Sequence, residues 1–378
     1  MTKLVFIWDN FGPLHADRCN AVAEHFAGQY EVVGIELASK SSVYDWVAES
    51  GSRFQKMTLV QGRSMEEISG LELFRRTQQA CLSTGRDSQF FFCHYQAPSI
   101  FACAVVLRLF GRRVYAMGCS KFDDYKRSLK REVVKSLFYL PYQGGIASGE
   151  RSCDYMRFLG IPEDRIASPY NAVSLARIRA LAGASQAPDG VPYAERHFTI
   201  VARLVEKKNL KMALDAYALY LSEVSDPRSL HIFGTGKMEE ELREHAAKAG
   251  IAGLVHFRGF LQTAGVSEAY GKSVALLLPS IEEQFGNVVA EAMGMGLPVI
   301  LSDNCGARDL LVRSGVNGFV IEPDNPEGLA YFMKLIGEDE RLWQRFAMAA
   351  REYAERSDSP RFAEAVASLV EKPSRAGI

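Results

Sequence analysis

Apolar residues in this chain cluster in short runs, and between the runs they recur at helical spacing. Residues 4–8, 30–35, 90–94 and 114–117 are runs of this kind, separated by helix-like segments such as 17–27 and 99–110. Runs too short to be helices, alternating with amphipathic segments, predict βαβ units and a buried parallel sheet. Residues 167–197 break the rhythm with Pro169, Gly183, Pro188, Gly190 and Pro192, and their second half reads as a linker. A second series follows, with strands expected at 198–202, 229–233, 255–258, 274–278, 298–301 and 318–321. Its helices are expected at 209–221, 238–249, 266–270, 287–295 and 326–336. The pattern predicts two α/β domains, 1–170 and 198–356, joined by a linker over 171–197.

Composition narrows the class. The 378 residues suffice for two cores, and 48% hydrophobic with 24% charged residues is ordinary for a globular protein. A net charge of −1 argues against a general nucleic-acid binder. The seven cysteines are scattered, with no Cys-x-x-Cys pair, which fits buried thiols in a reducing compartment. The N-terminal apolar stretch reaches Asp9 too soon for a signal peptide, and no run has the length of a membrane span. A cytoplasmic protein is expected.

The richest segment is 279–298, Pro-Ser-Ile-Glu-Glu-Gln-Phe-Gly-Asn-Val-Val-Ala-Glu-Ala-Met-Gly-Met-Gly-Leu-Pro. An apolar strand over 274–278 ends at Pro279, a loop carries Glu283, Phe285 and Gly286, and a helix starts near Asn287. Asn287 and Glu291 stand at i,i+4 and share a helix face. Such a junction brings backbone N–H groups and a positive helix end to one point, which suits a phosphate. Two carboxylates beside it suit a ligand with hydroxyl groups as well.

The spacing Glu283-x7-Glu291, with Pro-Ser-x-x-Glu-x-Phe-Gly before it and Gly-Leu-Pro-Val after it, resembles the retaining glycosyltransferases of family 4. The resemblance implies the GT-B fold, α/β with two Rossmann-like domains facing across a cleft. It also implies a closing helix, within about 357–378, that crosses back to the first domain. The donor would be a nucleotide-diphosphate sugar, UDP or GDP, with no cofactor and no metal.

Other segments extend the likeness. Arg203 follows the first strand of the second domain and Lys208 begins its helix, so two cations can converge on a diphosphate and stabilise the leaving group. This matches the family's Arg-Leu-x-x-x-Lys pattern, except that Asn209 replaces the usual glycine after the lysine. Gly234 in Gly-Thr-Gly-Lys resembles a turn near the donor nucleotide, with Lys237 in place of proline. Gly259 and Phe260 resemble the segment whose backbone faces the nucleobase. Gly306 would line the wall. Glu291 would hold the ribose, while Glu283 and the backbone from Phe285 to Asn287 would position the sugar.

The first domain departs further from the family. In the family the first loop is glycine-rich and approaches the diphosphate, so Gly12 would contact the donor, but it is a single glycine followed by Pro13. His15 and Arg18 start the next helix and could touch the acceptor or the sugar, or could be solvated. His94 ends a strand and could relay the acceptor proton, or could be structural, with no neighbouring acid identifiable. Relatives carry a histidine at the end of the next strand, and Ala116–Lys121 holds none.

Residues 121–143 hold Lys121, Lys126, Arg127, Lys130, Arg131 and Lys135 among Leu129, Val133, Leu137 and Phe138. A basic, partly apolar helix of this kind can rest on an anionic membrane, which fits a lipid-linked saccharide acceptor. The alternative, a helix that packs its apolar stripe into the first domain, is the simpler reading.

Overall fold

The computed structural model describes residues 2–41, 53–94 and 96–373, and the chain divides into two units. The first comprises Met1–Ser174 and Asp358–Ile378, the second Leu175–Ser357.

The first unit runs β1 (Thr2–Trp8), α1 (Pro13–His25), β2 (Tyr30–Glu36), β3 (Gln55–Thr58), α2 (Gly70–Ser83), β4 (Gln89–Phe92) and α3 (Pro98–Leu109). It continues with β5 (Arg113–Gly118), α4 (Leu129–Leu137), β6 (Gly145–Ala147), α5 (Glu150–Phe158) and β7 (Ile166–Ala167). The seven strands are parallel in the order β3-β2-β1-β4-β5-β6-β7. Successive residues of β1 feed opposite layers. Val5 and Ile7 join one core with Phe90 and Phe92, whereas Leu4, Phe6 and Trp8 join the other with Phe91 and Tyr115. Both faces are covered, which is why the strands read as unbroken apolar runs. Helix α1 begins earlier than expected, because Pro13 is pre-set for the first helical turn and Gly12 caps it.

The second unit runs α6 (Leu175–Leu181), β8 (His197–Val201), α7 (Leu210–Glu223), β9 (Leu230–Phe233), α8 (Glu239–Lys248), β10 (Val255–Gly259) and α9 (Thr263–Gly271). Then come β11 (Ser273–Leu278), α10 (Asn287–Gly294), β12 (Val299–Ser302), α11 (Ala307–Leu310), β13 (Gly318–Ile321), α12 (Pro326–Glu338) and α13 (Glu340–Ala354). Its six parallel strands are ordered β10-β9-β8-β11-β12-β13. Trp343 of α13 is buried and donates its indole N–H to the Val274 carbonyl at 2.9 Å. At the start of β8 the His197 ring stacks on His231 of β9 at 3.8 Å, and His256 of β10 meets His231 edge-on at 4.9 Å.

The reading of 171–197 as a linker needs correcting. Residues from Leu175 onward belong to the second unit. Arg196 is buried there, donating to the carbonyls of Asp189, Val191, Gly271 and Ser273, so the proline- and glycine-rich stretch is held down rather than slack.

The last helix, α14 (Ser359–Val370), returns to the first unit and packs on α1. Phe362 inserts between Phe6 and Tyr170, at 5.8 and 6.4 Å. Residues 374–378 of the expected closing segment lie outside the described residues.

Candidate functional site

In the second unit the strand order reverses between β8 and β11, and in open parallel sheets ligands bind beyond the strand ends at such a point. The segments leaving these two strands are tied together. The Lys207 carbonyl accepts the Ile281 N–H at 2.9 Å, and the Lys208 ammonium is ion-paired with the Glu283 carboxylate. Both side chains are mostly buried, at 13% and 15% exposure. Asn209 takes the left-handed backbone (φ 58°, ψ 37°) that a glycine would adopt freely. Its side-chain amide donates to the Pro279 carbonyl at 3.1 Å and the Pro323 carbonyl at 2.6 Å. The departure from glycine therefore adds two bonds that hold the Lys208 turn against the β11 loop.

The 283–287 loop is gripped from the other side by residues that follow β12. Gly306 donates its N–H to the Glu283 carbonyl at 3.1 Å, and Ala307 donates to the Phe285 carbonyl at 2.8 Å. The same Phe285 carbonyl accepts the buried Cys305 thiol at 2.9 Å. A side chain at Gly306 would put its Cβ 2.0 Å from the Gln284 carbonyl oxygen. Gly286 (φ 95°) turns the chain into α10, whose first residue is Asn287. Glu291 is half-buried one turn further on. Burial, and then the Glu291 charge, keep the Tyr270 phenol well above its ordinary range.

Arg203 is exposed two residues beyond β8. Its neighbours are fixed, since Ala202 and Leu204 donate to the carbonyls of Phe233 and Thr235 at 3.0 and 2.9 Å. Gly234 lies between those acceptors with φ 137°, and a Cβ there would meet the Ala202 carbonyl at 1.9 Å. The Gly234 N–H donates to the Gly259 carbonyl at 2.8 Å, and the exposed Phe260 follows. One set of bonds thus joins the turn around Arg203 to Gly234 and Gly259, and another ties Lys208, Glu283 and Phe285, with Gly286 and Asn287 next in the chain.

The first unit has a pair in the equivalent place. Its strand order reverses between β1 and β4. Asp9 follows β1, His94 follows β4, and His94 Nε2 lies 3.2 Å from Asp9 Oδ1. Burial would raise the Asp9 carboxyl, but the hydrogen bond and charge of His94 hold it below its usual range. His94 sits at φ 54°, uncommon for a residue with a side chain. Asp9 is the neighbouring acid that sequence reasoning missed. The available signal was an acid directly after the first strand.

His15 packs its ring on Trp8 at 4.7 Å, and its Nδ1 accepts the Gly12 N–H at 3.0 Å. Burial, then the Arg18 charge, push its pKa down to about 3, so the ring is neutral with its proton on Nε2. The Gly12 N–H is consequently engaged within the loop rather than presented to a phosphate. Arg18 does not fit its expected acceptor role. It is 2% exposed, its guanidinium lies 4.6 Å from the centre of the Tyr170 ring, and its Nε donates to the Ala172 carbonyl at 3.2 Å. A long cationic side chain on the inner face of α1 stacks on aromatic neighbours and satisfies a buried carbonyl.

The basic segment also differs from the simpler expectation. Lys121, Arg127 and Lys135 point inward to Asp124, Glu132 and Tyr155, while Leu129, Val133 and Leu137 are exposed. Among the described residues no group of three or more His, Cys, Asp or Glu side chains is arranged to hold a metal ion.

Residues 186–353, which contain the whole Lys208–Glu283 site, match the family model for glycosyl transferases group 1. Poly(glycerol-phosphate) alpha-glucosyltransferase of Bacillus subtilis is 31% identical over 175 residues, 46% of this chain and 25% of that protein. D-inositol 3-phosphate glycosyltransferase of Streptomyces avermitilis is 28% identical over 218 residues, 55% of this chain and 47% of that one. The chain spans about a quarter to a half of the length of the curated relatives it matches. Among solved structures, Anabaena HepE in complex with UDP and glucose superimposes with a TM-score of 0.71 at 17% identity, covering 98% of this chain and 100% of that one. The lipopolysaccharide outer core galactosyltransferase WaaB gives 0.69 at 18%, covering 98% and 99%. These structures share the fold, two parallel-sheet Rossmann-like domains of the GT-B type.

Proposed function

We propose that this protein is a glycosyltransferase that moves a hexose from a nucleotide-diphosphate sugar to a hydroxyl of a saccharide or lipid-linked saccharide, with retention of configuration. The observation that carries this reading is the Lys208–Glu283 pair at the β8–β11 switch point, inside the segment that matches the glycosyltransferase model. UDP is the favoured nucleotide, because HepE is described with UDP and glucose.

In this reading Lys208 and Arg203 neutralise the diphosphate, so no divalent ion is required, and the start of α10 adds backbone N–H groups. Before it can serve, the Lys208 ammonium has to be shared between Glu283 and the incoming phosphate. Glu283 is then released toward the sugar hydroxyls, and Glu291 takes the ribose. The leaving phosphate accepts the acceptor proton on the face it departs from, which preserves configuration without a protein nucleophile. In the first unit, His94, oriented by Asp9, and His15 are the candidates for contact with the acceptor.

The test is thermal melting with UDP, GDP and their hexose conjugates in the presence of EDTA, followed by product analysis. A rise of a few degrees for one nucleotide sugar, absent in Lys208→Ala, supports the donor site. No rise with any of them overturns it. Transfer to an added acceptor separates a transferase from an epimerase, a phosphorylase or a non-catalytic scaffold.

A further inference from the structure

Helix α4 is turned the opposite way to an ordinary surface helix. Two of its polar residues face the protein: Glu132 is buried, accepts the Tyr155 hydroxyl and pairs with Arg127, and Lys135 donates to the same hydroxyl at 2.7 Å. Leu129, Val133, Val134 and Leu137, with Leu140 just beyond, are 54–66% exposed. At 3.6 residues per turn the four helical ones span an arc of roughly 140°, and the exposed Lys130 stands among them. Phe138 ties α4 to α3 through Phe101 at 4.9 Å, and α3 ends in the exposed Leu109 and Phe110. Single exposed leucines are unremarkable on a protein surface, but several gathered on one helical face mark an interaction site.

The charges around this face say what covers it. The segment's six cations divide evenly. Lys121, Arg127 and Lys135 are the inward, partnered set, whereas Lys126, Lys130 and Arg131 are exposed and form no ion pair among the described residues. The acids are withdrawn: Asp124 and Glu132 are buried, and Asp123 pairs with Lys121 and Arg151. An apolar face that carries unpaired cations, in a segment whose acids are buried or ion-paired, is complementary to an anionic lipid surface. A second copy docking on a twofold axis would instead bring two sets of like charges together. No helix among the described residues is long and apolar enough to cross a membrane, so the contact lies on the surface.

We propose that the α4 face, Leu129, Val133, Val134, Leu137 and Leu140 with Lys126, Lys130 and Arg131, docks the first unit on an anionic membrane. The inference does not depend on the donor chemistry proposed above, because lipid binding and nucleotide binding are measured separately.

The test is co-sedimentation of the full chain with vesicles of phosphatidylcholine alone or mixed with phosphatidylglycerol. The wild type is expected to bind the mixed vesicles and to be released by salt. Lys126→Ser/Lys130→Ser/Arg131→Ser should weaken that binding on the order of a hundredfold. Val133→Ser/Leu137→Ser should abolish it while leaving UDP binding and the melting temperature unchanged, since these side chains face solvent. Three results would overturn the proposal. They are no sedimentation with either vesicle, sedimentation indifferent to both variants, and a dimer in light scattering that Val133→Ser/Leu137→Ser dissociates.

Discussion

The ammonium of Lys208 and the carboxylate of Glu283 meet across 75 positions of sequence, and each shields the other's charge in a largely buried turn. Removing either partner alone leaves an uncompensated group.

Lys208→Met is expected to lower stability by about 1–3 kcal/mol and turnover by about 10²–10³-fold. Lys208→Met/Glu283→Gln should regain most of the stability and none of the turnover. Melting curves beside a product assay separate the two effects.

Asn209 reverses the usual ranking of alanine over glycine near a helix. Asn209→Gly keeps the backbone and loses two hydrogen bonds, a cost of about 1–2 kcal/mol. Asn209→Ala loses the same bonds and adds left-handed strain of about 1 kcal/mol. Urea midpoints should therefore fall in the order wild type, glycine, alanine.

Gly306→Ala should displace the 284–286 loop, because its Cβ would lie 2.0 Å from the Gln284 carbonyl. Gly253→Ala is the control, as a Cβ there meets nothing within 4 Å. Titration with UDP should show weakened binding for Gly306→Ala and unchanged binding for Gly253→Ala.

If His94 relays the acceptor proton, His94→Gln should lower kcat by about 10²–10⁴-fold with the donor KM little changed. Asp9→Asn should give a smaller fall of the same kind, since it acts by orienting the ring. A rise in donor KM without a fall in kcat would contradict the assignment.

Burial and neighbouring positive groups push His197 down to about 3 and His231 to about 4. Both are therefore neutral in the fold at a pH where the unfolded chain, with a histidine pKa near 6.5, takes up protons. Their contribution to stability is complete above that value and is lost as the pH falls toward about 3–4. His197→Phe/His231→Phe keeps the stacked rings and should flatten the decline measured between about pH 7 and 5.

Much of this was legible in sequence for identifiable reasons. Strands covered on both faces are continuous apolar runs, so β1, β4 and β11 could be read directly. Lys208 and Glu283 could be read because their spacings carry a family resemblance. Asp9 could not, because its partnership with His94 exists only through the adjacency of β1 and β4. Arg18 and the α4 cations misled because spacing assigns a residue to a helix face but not to the side of the protein that the face meets. Helix α13 was overlooked although Trp343, Phe346, Ala347, Ala350 and Ala354 trace a helical stripe, and all five are buried.

The chain leaves the first unit after Ser174 and re-enters it at Asp358, where Ser359 donates its N–H to the Val173 carbonyl at 2.8 Å. During synthesis the first unit therefore waits, with Phe6 and Tyr170 uncovered, until the ribosome has released the segment that carries Phe362. The second unit is contiguous and has emerged in full by then. The domain made first therefore cannot be completed before the whole of the second is available to fold, a departure from the simple N-terminal-first order.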